Sequence, residues 1–173
     1  ISKSIVFSNS GEAIILKNNT SKGIVLRGYN SNEFSDLEII KNKKFKGNKF
    51  ELNKNSISIG NELSFVLELK IGDEITLMSP SGVETIIGSM PKHKTFMVTS
   101  IFNSGLADFD NNIALINLDT LDEFFGYEIK DRNLEIYLKN PNNIESQKHV
   151  VQKIFDEEFV YSWADMNSSL FSA

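Results

Sequence analysis

Residues 59–102 read IGNELSFVLELKIGDEITLMSPSGVETIIGSMPKHKTFMVTSIF, and the rest of the chain is arranged around them. Leu63, Phe65 and Val66 belong to a run of apolar residues at helical spacing, which predicts a short amphipathic helix. Gly72 follows the end of this apolar run, where a left-handed C-terminal turn favours glycine. An alternating strand pattern comes next, and a second strand after a hairpin completes the stretch.

The hairpin is predicted from its prolines. The chain has only three, and Pro80 and Pro91 enclose an apolar segment. Proline has no backbone N–H to donate to a sheet, so each marks an edge, a bulge or a strand end. Residues 80–82, Pro-Ser-Gly, are typical of a turn in which Gly82 takes positive φ. We therefore expect a projecting hairpin over about residues 80–95 with an apolar tip and a basic base. A surface hairpin whose isoleucines fold back onto the body is the alternative.

Composition excludes several classes of protein. The net charge is −5, which argues against a protein that binds a phosphate backbone. The chain has no cysteine, so it contains neither a disulfide scaffold nor a cysteine zinc site. No apolar run approaches the roughly 20 residues that span a bilayer. Because the sequence starts at Ile1 without a signal-peptide pattern, we expect an excised or processed segment.

Recognisable catalytic motifs are missing from the sequence. His93 and His149 lie far apart, and neither belongs to a metal or triad pattern. The basic run at residues 41–49 does not match a phosphate-binding loop, and we expect a solvated turn there. Asp108 and Asp110 lack the spacing of a calcium loop, so turn or cap chemistry is expected. We predict no catalytic residue, metal site or cofactor; an enzyme built from scattered carboxylates is the open alternative.

The remaining patterns give the order of elements. Strands are predicted over residues 5–7, 12–16, 23–29, 56–60, 113–116, 133–138 and 159–163. Gly11 is expected to turn the first strand into the second, and residues 23–29 to be buried on both faces. Helices are expected after Leu118, capped by Asp119 or Thr120, after Pro141, capped by Asn142, and from Asp165 to Phe171. This order predicts an α+β fold in two lobes, one from residues 1–30 and 128–173 and one from residues 31–127.

Several stretches together resemble the periplasmic domain of the LolC/LolE family, the permease subunits of the lipoprotein-releasing ABC transporter. They are residues 59–63, 69–77, 80–82 and 98–102, Gly105, Asp110 and residues 163–171. Their order and spacing carry the resemblance, which covers nearly the whole chain. The broader MacB-like permease superfamily shares this domain plan.

The resemblance implies a two-lobed MacB-like domain in the periplasm, belonging to a bacterial inner-membrane permease of LolC-like or hybrid type. Residues 1–30 and 128–173 would form an α/β porter subdomain with an incomplete N-terminal part, and residues 31–127 a β-rich sabre subdomain. The sabre would carry a hook at about residues 80–95 that docks the periplasmic lipoprotein chaperone LolA. The implied hook residues are Pro80, Ser81, Thr85, Ile86, Ile87, Gly88, Met90, Pro91, Lys92 and Lys94.

The implied activity is not enzymatic in this domain. Lipoproteins extracted from the inner membrane would pass to LolA for outer-membrane sorting, while a separate ATPase subunit hydrolyses ATP. The implied partners are that subunit, a second permease subunit, the chaperone and the lipoprotein, with no nucleic acid. A MacB-like efflux permease that docks an adaptor protein is the alternative.

Overall fold

The computed structural model describes residues 2–17, 20–41, 43–86 and 88–166. Its strands are β1 (Ser2–Lys17), β2 (Thr20–Tyr29), β3 (Lys46–Gly47), β4 (Ser56–Gly60), β5 (Glu74–Thr85), β6 (Gly88–Phe102), β7 (Ile113–Asn117) and β8 (Asn133–Leu138). Its helices are α1 (Ser31–Phe34), α2 (Glu38–Lys41), α3 (Asn61–Val66), α4 (Ala107–Asn112), α5 (Leu118–Phe125), α6 (Ile144–Ile154) and α7 (Trp163–Met166), with short 3-10 turns at Ile129–Asp131 and Pro141–Asn143. The predicted α+β class is confirmed.

The chain divides into two compact units. The larger is Val6–Leu134, and the smaller comprises Ile1–Ile5 and Glu135–Ala173. The boundaries of these units fall at different residues from the boundaries of the predicted lobes. Most of β1 and all of β2 belong to the larger unit, because they pair with its strands. The assignment of residues 1–30 with 128–173 as porter-like, and of 31–127 as sabre-like, stays a prediction.

Strands of the larger unit close into a ring, which we call the barrel. β1 pairs with β2, β2 with β7, β7 with β4, β4 with β6 and β6 with β5. The ring closes where Ile14–Leu16 of β1 pair with Thr76–Met78 of β5. The β2–β7 and β4–β6 pairs are parallel and the others antiparallel. Closure satisfies backbone donors and acceptors that an open sheet would leave at its edges.

Alternation along the strands builds the core. Side chains two residues apart share one face of a strand, and each ring strand contributes one such pair to a single buried cluster. The pairs are Ala13 and Ile15, Ile24 and Leu26, Ile57 and Ile59, Ile75 and Leu77, Phe96 and Val98, and Ala114 and Ile116. The strands predicted at residues 56–60 and 113–116 are confirmed. Residues 23–29 are not buried on both faces, since Val25 and Arg27 are partly exposed.

The predicted turn at Gly11 is wrong, because β1 runs unbroken from Ser2 to Lys17. Gly11 pairs with Leu26 inside the ladder, which continues to Lys17 and Thr20. A Cβ on Gly11 would lie 2.6 Å from Cε2 of Phe125. The glycine therefore makes room for an aromatic ring rather than for a change of chain direction.

The helix in the opening stretch is shorter than predicted. It ends at Val66, and Glu68 rather than Gly72 takes the left-handed conformation just beyond it, with φ 50°. Gly72 has φ 97° in the turn that precedes β5. Leu63 is buried, whereas Phe65 and Val66 are exposed, so the apolar face of the helix is narrower than the sequence indicates.

The caps predicted for α5 and α6 are not the ones that form. The side chain of Asn117, not Asp119 or Thr120, caps α5. Near α6, Asn140 rather than Asn142 accepts a capping hydrogen bond, from the backbone N–H of Asn142. The strand predicted at residues 159–163 is absent from this described segment, where Ser162 precedes α7. The predicted helix end at Phe171 lies outside the described residues.

A candidate docking hairpin

The hairpin formed by β5 and β6 reverses direction later than predicted. Pairing runs from Glu74 opposite Met97 to Thr85 opposite Gly88, so the chain reverses between Thr85 and Gly88, with Ile86 in a turn. Gly88 takes φ 119°, a conformation that glycine adopts without a steric penalty. The predicted turn at residues 80–82 is wrong, because these residues belong to β5.

The two prolines instead lie at a break in the ladder. Pairing is regular down to Ser79 opposite Lys92 and resumes with Val83 opposite Met90. The three residues 80–82 therefore lie opposite the single residue Pro91, and this mismatch is a bulge. Both Pro80 and Pro91 lack the backbone N–H that a regular ladder needs, and both are tolerated at a bulge because regular pairing is interrupted there. The hook consists of a base joined to the barrel and a tip beyond the bulge.

The tip presents apolar side chains to solvent. Ile86 is fully exposed and Met90 is 56% exposed. Pro80, Gly88 and Pro91 are exposed as well. Ile86 does not fold back onto the barrel. Ile87 and the side chains of Ser81 and Thr85 lie outside the part of the chain that the structure describes.

Both lysines at the base of the hairpin are engaged with the protein. Lys92 Nζ donates to the backbone carbonyl oxygen of Glu123 at 2.5 Å. Lys94 Nζ lies 5.7 Å from the ring centroid of Phe96, a cation–π distance. Each lysine is half-buried. The basic base therefore contains one lysine bound to α5 and one lying over an aromatic ring.

Helix α5, which receives Lys92, is held by an ionic network that sequence reasoning missed. Arg132 donates through Nε to Oδ2 of Asp122 at 2.7 Å and through Nη2 to Oδ1 of Asp119 at 2.6 Å. Asn9 Nδ2 donates to Oδ1 of Asp122 at 3.1 Å. Burial opposes the charge on Arg132, but the hydrogen bonds to Asp119 and Asp122 prevail and raise its pKa. These residues are separated by up to 123 positions, from Asn9 to Arg132, so no local motif connects them.

A shallow depression of about 460 Å³ lies beside the hook base. Pro80, Glu12 and Asn112 line it with apolar residues of β1 and β2. Glu12 is the one carboxylate among its lining residues. The arrangement does not bring acids together as an active site built from scattered carboxylates would require.

Two carboxylates outside residues 80–95 have lowered pKa values and lie in ion pairs. The pKa of Asp73 is lowered, first by the backbone N–H of Lys70 and also by the charge of Lys17. The pKa of Asp165 is lowered to about 2, chiefly by a hydrogen bond from Lys148. Asp110 accepts hydrogen bonds from the N–H and hydroxyl of Ser104, so its predicted turn role is confirmed. Among the described residues, no cluster of His, Asp and Glu has the makings of a metal site.

Comparison with curated proteins finds similarity to LolC proteins. It is 23% identical over 170 residues to the lipoprotein-releasing system transmembrane protein LolC of Neisseria meningitidis serogroup B, covering 95% of this chain and 40% of that protein. It is 29% identical over 66 residues to LolC of Xylella fastidiosa strain Temecula1, covering 38% of this chain and 16% of that protein. The chain is similar in sequence to LolC. No family model matches it.

The chain has the fold of known transporter domains. The periplasmic region of MacB from Actinobacillus actinomycetemcomitans superposes with a TM-score of 0.56 at 11% identity, covering 99% of this chain and 77% of that one. The extracellular domain of YknZ, a noncanonic ABC-type transporter from Gram-positive bacteria, gives 0.53 at 13% identity, covering 90% and 77%. The chain thus has sequence similarity to LolC and shares its fold with these two transporter domains. None of the helices in the described segments is long and apolar enough to cross a membrane.

Proposed function

We propose that this domain belongs to a lipoprotein-releasing permease and that its hook docks a LolA-like periplasmic chaperone. The observation that carries the proposal is the fully exposed Ile86 at the end of a hairpin whose tip also carries the exposed Met90, opposite Val83. An exposed apolar tip has an unfavourable contact with water that a partner's apolar surface relieves. Its function is then to bind.

The magnitude of this contact suits a transient partner. Complete burial of an isoleucine or methionine side chain contributes about 1.5–3 kcal/mol each. Two or three such side chains offset part of the entropy lost on association and favour a complex that can dissociate after transfer. The backbone of the hook edge adds main-chain hydrogen-bonding groups for an extended partner segment.

The remaining parts of the proposed system lie outside this chain, which spans 40% of the Neisseria meningitidis relative. The whole permease would sit in the bacterial inner membrane with this domain in the periplasm, beside a second permease subunit. A separate ATPase subunit would hydrolyse ATP, and the lipoprotein would be handed to the chaperone. The domain itself would be neither an enzyme nor a nucleic-acid binder, in keeping with its net charge of −5.

The second candidate is a MacB-like efflux permease whose domain docks an adaptor protein. The fold similarity to the periplasmic region of MacB, at a TM-score of 0.56, favours it. LolC similarity over 95% of the chain favours the first candidate. The two differ in the partner that contacts the tip of the hook.

Site-specific photo-crosslinking distinguishes these partners. A benzophenone amino acid would replace Ile86 in one variant and Ile129, which is 78% exposed on the same unit, in the control. Each variant would be irradiated with a mixture of LolA-type chaperone and periplasmic adaptor from the same organism. We expect a chaperone adduct from position 86 and none from position 129. An adaptor adduct from position 86 would favour the efflux permease, and equal chaperone adducts from both positions would overturn the hook assignment.

A further inference from the structure

We propose that helix α5 sets the direction of the hook, with Lys92 and Arg132 as positioning residues. The purpose of this positioning rests on the proposed docking function. The positioning itself is a property of the fold and can be tested separately. Lys92 contacts α5 from the hook base, and Arg132 contacts it from the segment that leads into β8.

The hook needs a lateral support because the barrel gives it little. Among the described pairings, β1 reaches β5 only over Thr76–Met78, and β4 reaches β6 only from Met97 onward. Beyond those residues the hairpin has two strands, and an isolated two-stranded hairpin is marginally stable. The bulge at residues 80–82 further interrupts its ladder. Its direction therefore depends on contacts at the base.

Lys92 is placed where such a contact is effective. It belongs to the last regular pair before the bulge, opposite Ser79. Its ammonium group binds the carbonyl of Glu123, which lies in the last turn of α5. Carbonyl groups in a last helical turn lack partners within the helix and carry the negative end of its dipole, so they favour a cation. Lys94, two residues further along the strand, makes no such contact with α5 and lies over Phe96.

The other side of α5 is fixed to the parts of the larger unit nearest its boundaries. Arg132 and Asn9 both bind Asp122, whose side chain is 9% exposed. Phe125 packs over Gly11 of β1. Asn9 and Arg132 lie a few residues inside the unit boundaries at Val6 and Leu134. A displacement of either boundary segment would therefore reach the hook through contacts on one short helix.

Distance measurements test the positioning directly, and the absence of native cysteine makes specific labelling simple. Spin labels on Ile86→Cys and Glu123→Cys would report the distance between hook tip and α5 by pulsed electron paramagnetic resonance. Glu123 has an exposed side chain, so its label leaves the carbonyl contact in place. We expect Lys92→Met to broaden the distance distribution and Lys94→Met to leave it unchanged. Equal distributions for these two variants would overturn the proposal.

Arg132 provides the second comparison. Arg132→Gln is expected to broaden the same distribution, whereas Lys130→Gln is not, because Lys130 pairs only with the exposed Glu128 among the ion pairs described. Urea unfolding of each variant would establish that it is folded before labelling. If Arg132→Gln fails to fold, the Lys92 comparison alone decides the proposal.

Chaperone titration separates this proposal from the docking function. A smaller fraction of correctly directed hooks raises the apparent Kd in proportion, so Arg132→Gln and Lys92→Met should weaken binding about three- to tenfold. Lys130→Gln should bind as the parent protein does. Positioning is not a charge effect that salt screens, so the loss of chaperone affinity in Lys92→Met should persist at about 0.5 M salt. If that loss of affinity disappears at about 0.5 M salt, Lys92 acts as a steering charge and the proposal is overturned. Absence of chaperone binding by the parent protein would reject docking, while the distance measurements would still decide the positioning.

Discussion

Phe125 occupies the space into which a side chain on Gly11 would project. A Cβ at position 11 would lie 2.6 Å from Cε2 and 2.7 Å from Cζ of the ring. The ring also stacks on Tyr127 at 5.4 Å and meets Phe124 edge-to-face at 5.0 Å. The glycine thus allows the C-terminal end of α5 to pack directly on β1, which places the helix that receives Lys92.

Gly11→Ala should therefore destabilise the protein. Inserting a methyl group against a packed ring forces the ring or the backbone to move, which costs about 1–3 kcal/mol. Gly23→Ala is the matched control, because Gly23 lies in β2 with nothing within 4 Å of an added Cβ. Its stability should stay within about 0.5 kcal/mol of the parent protein. Urea midpoints at constant m-value measure both changes, and equal midpoints would contradict the packing argument.

Asp122 should contribute far more to stability than Asp119, although Arg132 binds both. The Asp122 side chain is 9% exposed and that of Asp119 is 69% exposed. Asp122→Ala leaves Arg132 and Asn9 without their shared acceptor, so we expect a loss of about 2–3 kcal/mol, while an exposed pair contributes about 0–1 kcal/mol. Chemical denaturation of Asp122→Ala and Asp119→Ala makes the comparison. A larger loss for Asp119→Ala would contradict this assignment.

Asp110 fixes the loop that leads into α4. Its buried carboxylate accepts from the Ser104 N–H at 2.9 Å and from the Ser104 hydroxyl at 2.6 Å. Removing the acceptor in Asp110→Ala leaves these donors unpaired and should cost about 1–3 kcal/mol. Asp108→Ala on the exposed side of the same helix serves as the control and should change little. Hydrogen exchange at the Ser104 amide should accelerate only in Asp110→Ala.

The ion pair between Lys148 and Asp165 should make the smaller unit sensitive to acid. Lys148 and the Ser162 N–H donate to Oδ2 of Asp165 at 2.6 and 2.7 Å, and the pKa of Asp165 is lowered from 3.8 to about 2. Because the folded pKa lies below the unfolded one, the stabilisation is complete above about pH 4 and is lost as pH falls towards 2. A carboxyl carbon titration by NMR measures the pKa. Lys148→Met should raise it, and an unchanged midpoint would contradict the pairing.

Much of the barrel was predictable from the sequence because alternation is a local property. A period of two in apolar residues predicts the strands that contain Ile57 and Ile59 and that contain Ile75 and Leu77. Both strands lie where they were expected. The unbroken course of β1 through Gly11 was not predictable, since nothing in the local sequence reveals that Phe125 packs against this glycine. The aromatic run at residues 159–163 has strand composition but no pairing partner in the described structure.

The candidate site was predictable in part for the same reason. Pro80 and Pro91 correctly indicated an irregular hairpin, yet Pro-Ser-Gly is equally compatible with a turn and with the bulge that forms. The contact between Lys92 and Glu123 joins residues 31 positions apart through a side chain and a backbone carbonyl. Such a contact depends on tertiary packing, so no local pattern in the sequence indicates it.

The most direct test of the docking role is a calorimetric titration of this domain with LolA-type chaperone from the same organism. Ile86→Asp would be compared with Ile129→Asp, which introduces the same charge at another exposed isoleucine of the larger unit. We expect saturable binding by the parent protein and by Ile129→Asp, with affinity reduced at least about tenfold in Ile86→Asp, since that variant exchanges a buried apolar contact for a desolvated charge. Equal affinity of the two variants, or no binding by the parent protein, would contradict the docking role.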